Sequence, residues 1–376
     1  MIGSVCLWPL PMAVNSERMS RRLIRGSIAL LGLGACALLG LAAAGVHANG
    51  ASESVLPQAS PAARLARGKQ AFEYWDLVAT FESGHRIFAR FQVTNAGPGD
   101  RTAYALGHIL FPGGQVVQFQ NGRLEGKWGI SDDRLRMEIG SSVLDLHAPT
   151  RHFEVDKNKK GIKLFLDYEG TGPIRSWPTP PEGYHLDLLT LGGPIAGTLW
   201  VRDVTAEPVS VAGTVTVTHA WSDDSEFDLA RLRVEPYGMA ATNGDSHLYA
   251  LSVEPKQGAT RSWMLVRTGE IWREADGFAL SRIGEHESSE KGYPIPSSLS
   301  LQGENVQGQV DLGRVILRHD PMALAPALFR WVLSFRTKPS QVWLESDYAI
   351  EWLGSFEPVF LKGTGVSSFY YLNPLK

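Results

Sequence analysis

His219 and Trp221 close a run, 211–221, that alternates polar and apolar side chains after Gly213. Residues i and i+2 of a strand point the same way, so this spacing sets an imidazole beside a broad aromatic face. Such a histidine either faces a cavity or caps a hydrogen-bond network in the core, and the sequence leaves both open. Asp223, Asp224, Glu226 and Asp228 follow at once and carry the oxygen ligands that calcium takes. They lack the glycine and the spacing of a calcium loop, and a solvated loop running into a strand is the simpler reading. The ten histidines include no His-x-His pair, so no metal site is expected. No Gly-x-Ser-x-Gly elbow occurs. The glycine pairs 113–114 and 192–193 read as turns rather than phosphate cradles, since neither opens a helix. No cofactor is implied.

The elements that must hold these residues are strands. Residues 72–79 and 85–93 flank a Ser83-Gly84 turn, and Ile87, Ala89, Phe91 and Val93 fall on one face of the second run. Runs of five to nine residues continue to 168, separated by Gly, Asn and Asp turns, the signature of an all-β barrel or sandwich built from meanders. Residues 170–183 contain Pro173, Pro178, Pro180 and Pro181 and read as a crossover or boundary. A second β-rich half follows. The expectation is an N-terminal unit at 70–183 and a C-terminal unit at 184–376, with a short apolar helix near 321–333 that Pro326 interrupts.

The amino terminus reads as an export signal. Arg21, Arg22 and Arg25 precede an apolar stretch from Gly26 to Gly45, and Val46-His47-Ala48 supplies small residues for cleavage. Residues 1–48 are therefore expected to be removed, with Met19 as an alternative start, and 49–69 to form a linker rich in Ser, Pro and Ala. Ser20-Arg21-Arg22 resembles a twin-arginine signal, although paired arginines also occur in ordinary n-regions, and retention of the segment as an anchor stays open. The expected location is periplasmic or extracellular. Both cysteines, Cys6 and Cys36, leave with the signal, which excludes disulfides and thiol chemistry in the remaining 328 of 376 residues. A net charge of −3 gives no electrostatic footprint for nucleic acid.

The His219-x-Trp221 strand end, preceded by 193–199 and by the aromatic-acidic strand Glu73-Tyr74-Trp75-Asp76, resembles the lipocalin-like superfamily of carotenoid hydratases of the hydroxyneurosporene synthase type, AttH-like proteins and yeast survival factor-like proteins. The resemblance implies two lipocalin-like antiparallel β-barrels packed side by side, with apolar ligands inside a barrel or between the two. It also implies Trp221, Trp75 and Tyr74 as ligand-binding residues. The hydratases of that group protonate an isoprenoid double bond and capture the cation with water, using a tyrosine and an acidic residue two apart on a strand. The nearest match is Tyr249-Ala250-Leu251, with leucine where the acid would stand. Asp245 lies just before, in what reads as an Asn-Gly-Asp hairpin turn. Three readings follow: an exported carrier of a lipid, polyprenoid or carotenoid; an enzyme on such a molecule, with His219 and Tyr249 catalytic; or an envelope scaffold. Association with a membrane surface and oligomeric state stay open.

Overall fold

The computed structural model describes residues 59–65, 67–95, 100–240, 246–285, 287–289, 292–322, 337–353 and 358–372. The expected export signal at 1–48, the first part of the expected linker, the Asn243-Gly244-Asp245 turn and nearly all of the expected helix at 321–333 lie outside them. Pro321 and Met322 are in a turn.

The described chain is two antiparallel sheets, each curled around its own core. The first contains β1 (Phe72–Phe81), β2 (Arg86–Thr94), β3 (Thr102–Leu110), β4 (Val116–Arg123), β5 (Gly129–Ile130), β6 (Arg136–Ile139), β7 (Ser142–Asp145), β8 (Thr150–Lys157), β9 (Ile162–Glu169), β10 (Arg175–Ser176), β11 (His185–Val201) and β12 (Val209–Ser222). Its order is β4-β3-β2-β1-β12-β11-β9-β8-β7-β6-β5, with β10 paired to β11. A single helical turn, α1 (Glu226–Leu229), leads to the second set: β13 (Ala230–Ala240), β14 (Ser246–Pro255), β15 (Arg261–Thr268), β16 (Ile271–Asp276), β17 (Ala279–Ile283), β18 (Glu287–Ser288), β19 (Pro294–Ile295), β20 (Ser298–Gln302), β21 (Val306–His319), β22 (Ser340–Trp352) and β23 (Val359–Tyr371). The second sheet runs β16-β15-β14-β13-β23-β22-β21-β20-β17, and β18 pairs with β19 alone. Two lipocalin-like units side by side is thus the architecture.

The sheets divide at 223–229, not at 183/184. The proline-rich stretch 170–183 links β9 to β11 within the first sheet, so β11 and β12 complete the first unit rather than opening the second. The prolines interrupt the chain between two hydrogen-bonded antiparallel neighbours, β9 and β11, so the stretch is neither a crossover nor a boundary between cores. Residues 59–65 also depart from the expected free linker. The Ala63 amide donates to Arg134 O at 3.0 Å, and the Ala63 side chain is buried in the first core.

Each strand beside the contact between units must satisfy two interiors, and β1 shows how. Trp75, Leu77, Ala79 and Phe81 face the first core, while Tyr74 and Val78 pack on the opposite face among residues of both sheets. The second core gathers Val234, Leu248, Val266, Ile350 and Phe369. Between the cores the Phe88 and Trp343 rings stack at 4.1 Å and 8°, worth about 1 kcal/mol beyond area burial. Two backbone sites demand glycine. A Cβ on Gly365 would lie 1.8 Å from Tyr237 O, and one on Gly192, at φ +61, would lie 2.0 Å from the His247 ring. Gly192 sits at a register shift of β11, where the first unit approaches the second. Arg267 of β15 reaches across it, donating to Leu191 O and Gly192 O at 2.9 Å each.

Candidate functional site

Strand alternation carries charge into the contact between the units. On β1, Asp76 shares the face of Tyr74 and Val78; on β2, Arg90 stands opposite Asp76 in register; on β13, Arg233, Glu235 and Tyr237 share one face while Leu232 and Val234 enter the second core. α1 adds Glu226, and β14 and β23 add Tyr249 and Tyr370.

These side chains form one buried network. Arg90 donates to both oxygens of Asp76 at 2.6 Å, the bidentate geometry of a strong guanidinium-carboxylate pair. Arg233, 1% exposed, lies at the centre. It donates to Tyr74 Oη and, at 2.8 Å, to Glu226 Oε1. Its Nε stands 2.9 Å from Glu235 Oε2, an ion pair without hydrogen-bond alignment, and Nη2 lies 3.4 Å from Asp76 Oδ2. The Tyr74 and Tyr184 hydroxyls meet at 2.8 Å, and Tyr249 Oη donates to Glu235 Oε1 at 3.1 Å. Arg90 and Arg233 lie over the Tyr74 ring at 3.9 and 5.1 Å.

Three carboxylates and two guanidiniums leave one surplus negative charge when all are ionised, and burial makes that surplus costly. The cost appears in the carboxyl groups. Burial, reinforced by Asp76 and Glu235 and only partly offset by Arg90, raises Glu226 to about 7. Burial also raises Asp76 against the opposing pull of Arg90. The site thus keeps a carboxylic acid that is partly protonated near neutral pH, the condition for general acid-base work. The tyrosines do the opposite job. Burial first, then the charge of Glu235, pushes Tyr237 and Tyr249 far above the usual phenol range, so their hydroxyls remain donors.

A cleft of about 410 Å³ opens above this network between the two sheets. One wall is β1 and β12, where Val78 pairs with Thr216 and Thr80 with Thr214. The other is β13, β23 and β22, where Tyr237 pairs with Val366 and Met239 with Thr364, and Glu345 and Asp347 continue the two rows. Tyr237 lines the cleft directly. Glu235 is two residues along the same face and, with Tyr249, lies behind Tyr237 without itself lining the cleft.

The residues expected from sequence divide between two places. Tyr74 and Tyr249 belong to the network between the units. Leu251 has no acid in its place, but Glu235 on the neighbouring strand accepts the Tyr249 hydroxyl. His219, Trp75 and Trp221 instead lie at one end of the first unit, on the opposite face of β1 and β12. His219 is fully buried, its Nε2 is 2.7 Å from Glu73 Oε1, and the Trp75 ring stacks on it at 4.5 Å and 9°. Glu73 also accepts the Arg64 and Leu65 amides at 2.6 Å each, so residues 59–65 close this end. His219 Nδ1 and, on its cross-strand neighbour Asp187, Oδ2 have no hydrogen-bond partner among the described residues. His219 here anchors a terminal segment and does not meet Tyr249. The acidic run after Trp221 does not converge either. Asp223 Oδ1 accepts the Arg67 amide at 2.9 Å, Asp228 pairs with Lys256, and Glu226 alone turns inward.

Asp76, Arg90, Glu226, Arg233, Glu235 and Tyr237 were not anticipated. The available signal was Arg233-x-Glu235-x-Tyr237 alternating with Leu232 and Val234: charged residues on one face of a strand otherwise fit for burial.

No protein-family model matches the chain, and no curated protein does. Solved structures share its fold. An AttH candidate from Nitrosomonas europaea aligns over 80% of this chain and 92% of its own at TM-score 0.57 and 13% identity. CghA in complex with Sch210972 aligns over 81% and 89% at 0.58 and 11%. Kievitone hydratase from Nectria haematococca aligns over 85% and 95% at 0.54 and 9%. The fold is that of the lipocalin-like AttH and hydratase-type proteins, as the sequence resemblance implied.

Proposed function

We propose that the protein is an acid-base enzyme of the hydratase or isomerase type, acting on an organic molecule bound in the cleft between the two units. The observation that carries this reading is the buried network with its surplus negative charge, which meets the cleft at Tyr237. A cluster serving only to join the units would gain as much or more from apolar side chains, because buried ion pairs seldom repay their desolvation. A buried carboxyl raised to about 7, in a network that reaches a cleft through Tyr237, is what an acid-base site presents. A hydratase of this fold, and CghA with a bound small molecule, support the same direction.

The residues divide the work by protonation state. Tyr237, backed by Tyr249 and Glu235, donates a hydrogen bond to a substrate oxygen that gains negative charge. The Tyr237 hydroxyl, the one group of the network that lines the cleft, hands the proton to the substrate and recovers it from the carboxyl cluster through Glu235. Loss of a proton elsewhere on the substrate returns it for isomerisation, whereas attack of water followed by its deprotonation returns it for hydration. The export signal read from residues 1–48 supports a site of action outside the cytoplasm.

Solvent exchange tests the proposal. The protein is incubated in D₂O with a panel of unsaturated ketones and olefins and the products are weighed by mass spectrometry. One deuterium per turnover is expected for wild type, with loss of incorporation but not of binding in Glu235→Gln and Tyr237→Phe. Ligands that bind in the cleft without incorporation would make the protein a carrier.

A further inference from the structure

The chemistry of the cleft walls restricts what it accepts. Four of its seventeen lining residues are glycines, and the surface the others present is mixed: Val78, Tyr237, Met239, Val366 and the threonine methyls make up slightly more than half of it, beside the hydroxyls of Thr80, Thr214 and Thr364 and the charged groups of Arg86, Glu345 and Asp347. Thr80 and Thr214 face each other in register and Thr364 is opposite Asp347, while Thr216, opposite Val78, accepts the Gly192 amide at 3.4 Å. Arg86 of the first sheet and Arg314 of the second share Glu345 Oε1, at 3.3 and 3.0 Å, at the edge of the cleft.

A long hydrocarbon would strip water from the Thr80, Thr214, Thr364 and Asp347 side chains and offer them nothing in exchange, at a cost for each group. Site polarity of this kind discriminates against an analogue lacking the matching groups more strongly than an apolar wall discriminates by size. The volume is that of a site for a drug-sized molecule. Resting on the acid-base reading of the same cleft, we infer that the ligand is a compact, oxygenated organic molecule whose apolar face lies on Val78, Val366 and Tyr237. Its hydroxyl or carbonyl groups meet the threonines of both walls. A lipid chain or carotenoid hydrocarbon, the ligand expected from family resemblance, does not match this surface.

A matched pair of probes decides it. Binding of trihydroxystilbene and of unsubstituted stilbene to the full-length protein is measured by quenching of tryptophan fluorescence, with lycopene as the extended hydrocarbon. The expected result is at least about tenfold tighter binding of the hydroxylated probe, the worth of one good net hydrogen bond. In a Thr80→Val, Thr216→Val, Thr364→Val variant that advantage should disappear, with the melting temperature as the check on folding. Equal or tighter binding of stilbene or lycopene would overturn the inference, as would binding of none of the three or an advantage that survives in the variant. Preference for the hydroxylated probe together with absent deuterium exchange would leave this inference standing and remove the enzymatic reading.

Discussion

Replacing Glu226 by Gln should change how stability depends on pH, because it removes the surplus buried charge. Wild type buries Asp76, Glu226 and Glu235 with Arg90 and Arg233; the variant keeps two carboxylates for two guanidiniums. Glu226 titrates at about 7 in the fold against 4.5 as its ordinary value, corresponding to about 3 kcal/mol of linked free energy. The sign follows from which state holds the proton. Between 4.5 and 7 the folded protein retains it and the unfolded chain has lost it, so the contribution is full below 4.5 and disappears as pH rises through 7. Most of it falls between pH 5 and pH 8. Urea unfolding of both proteins at these two values reads the contribution of Glu226 together with that of the carboxyls it interacts with. The cost of Glu226→Gln should be smaller at pH 8 than at pH 5 by roughly 2–3 kcal/mol. An equal cost at both would refute the charge count.

The remaining predictions concern the other parts of the site. Arg233→Met leaves three carboxylates with one guanidinium and should destabilise by about 3–5 kcal/mol, read as a fall in melting temperature. Burial and the neighbouring His319 hold His108 down to about 3, so its contribution is present above 6.5 and is lost as pH falls toward 3; wild type should lose roughly 2–3 kcal/mol between pH 7 and 4.5 that His108→Gln does not lose. Gly313 lines the cleft, and a Cβ there has its nearest neighbour at 3.5 Å, so Gly313→Phe should abolish ligand binding in a fluorescence titration while shifting stability by less than about 1 kcal/mol. His219→Ala should destabilise by about 2–4 kcal/mol and speed hydrogen exchange at the Arg64 and Leu65 amides, yet leave deuterium incorporation into substrate unchanged.

The β architecture was legible in the sequence because strand alternation and turn residues are local. Ile87, Ala89, Phe91 and Val93 had to share a face, and all four are buried. The division between units was not legible. Pro178, Pro180 and Pro181 show that a strand stops, but whether the next strand returns to the same sheet depends on long-range pairing of β11 with β12 and β9. The site was half visible. Tyr74 and Tyr249 came into view through the family resemblance, whereas Glu226 looked solvated because its neighbours Asp223, Asp224 and Asp228 carry the same charge. Its inward turn depends on Arg233, seven residues on, beyond the reach of any strand period. His219 drew attention through its spacing from Trp221, and that spacing was read correctly. It was the face that could not be known: β12 has two buried sides, one toward the first core and one toward the second unit.

The location of bound ligand is the most direct test. A crystal structure of the protein with the tightest-binding oxygenated probe should show it between β1 and β12 on one side and β13 and β23 on the other, with an oxygen within hydrogen-bond reach of Tyr237 Oη. A ligand found instead in the first unit, against His219, Trp75 and Trp221 with residues 59–65 displaced, would contradict the assignment of the cleft as the active site.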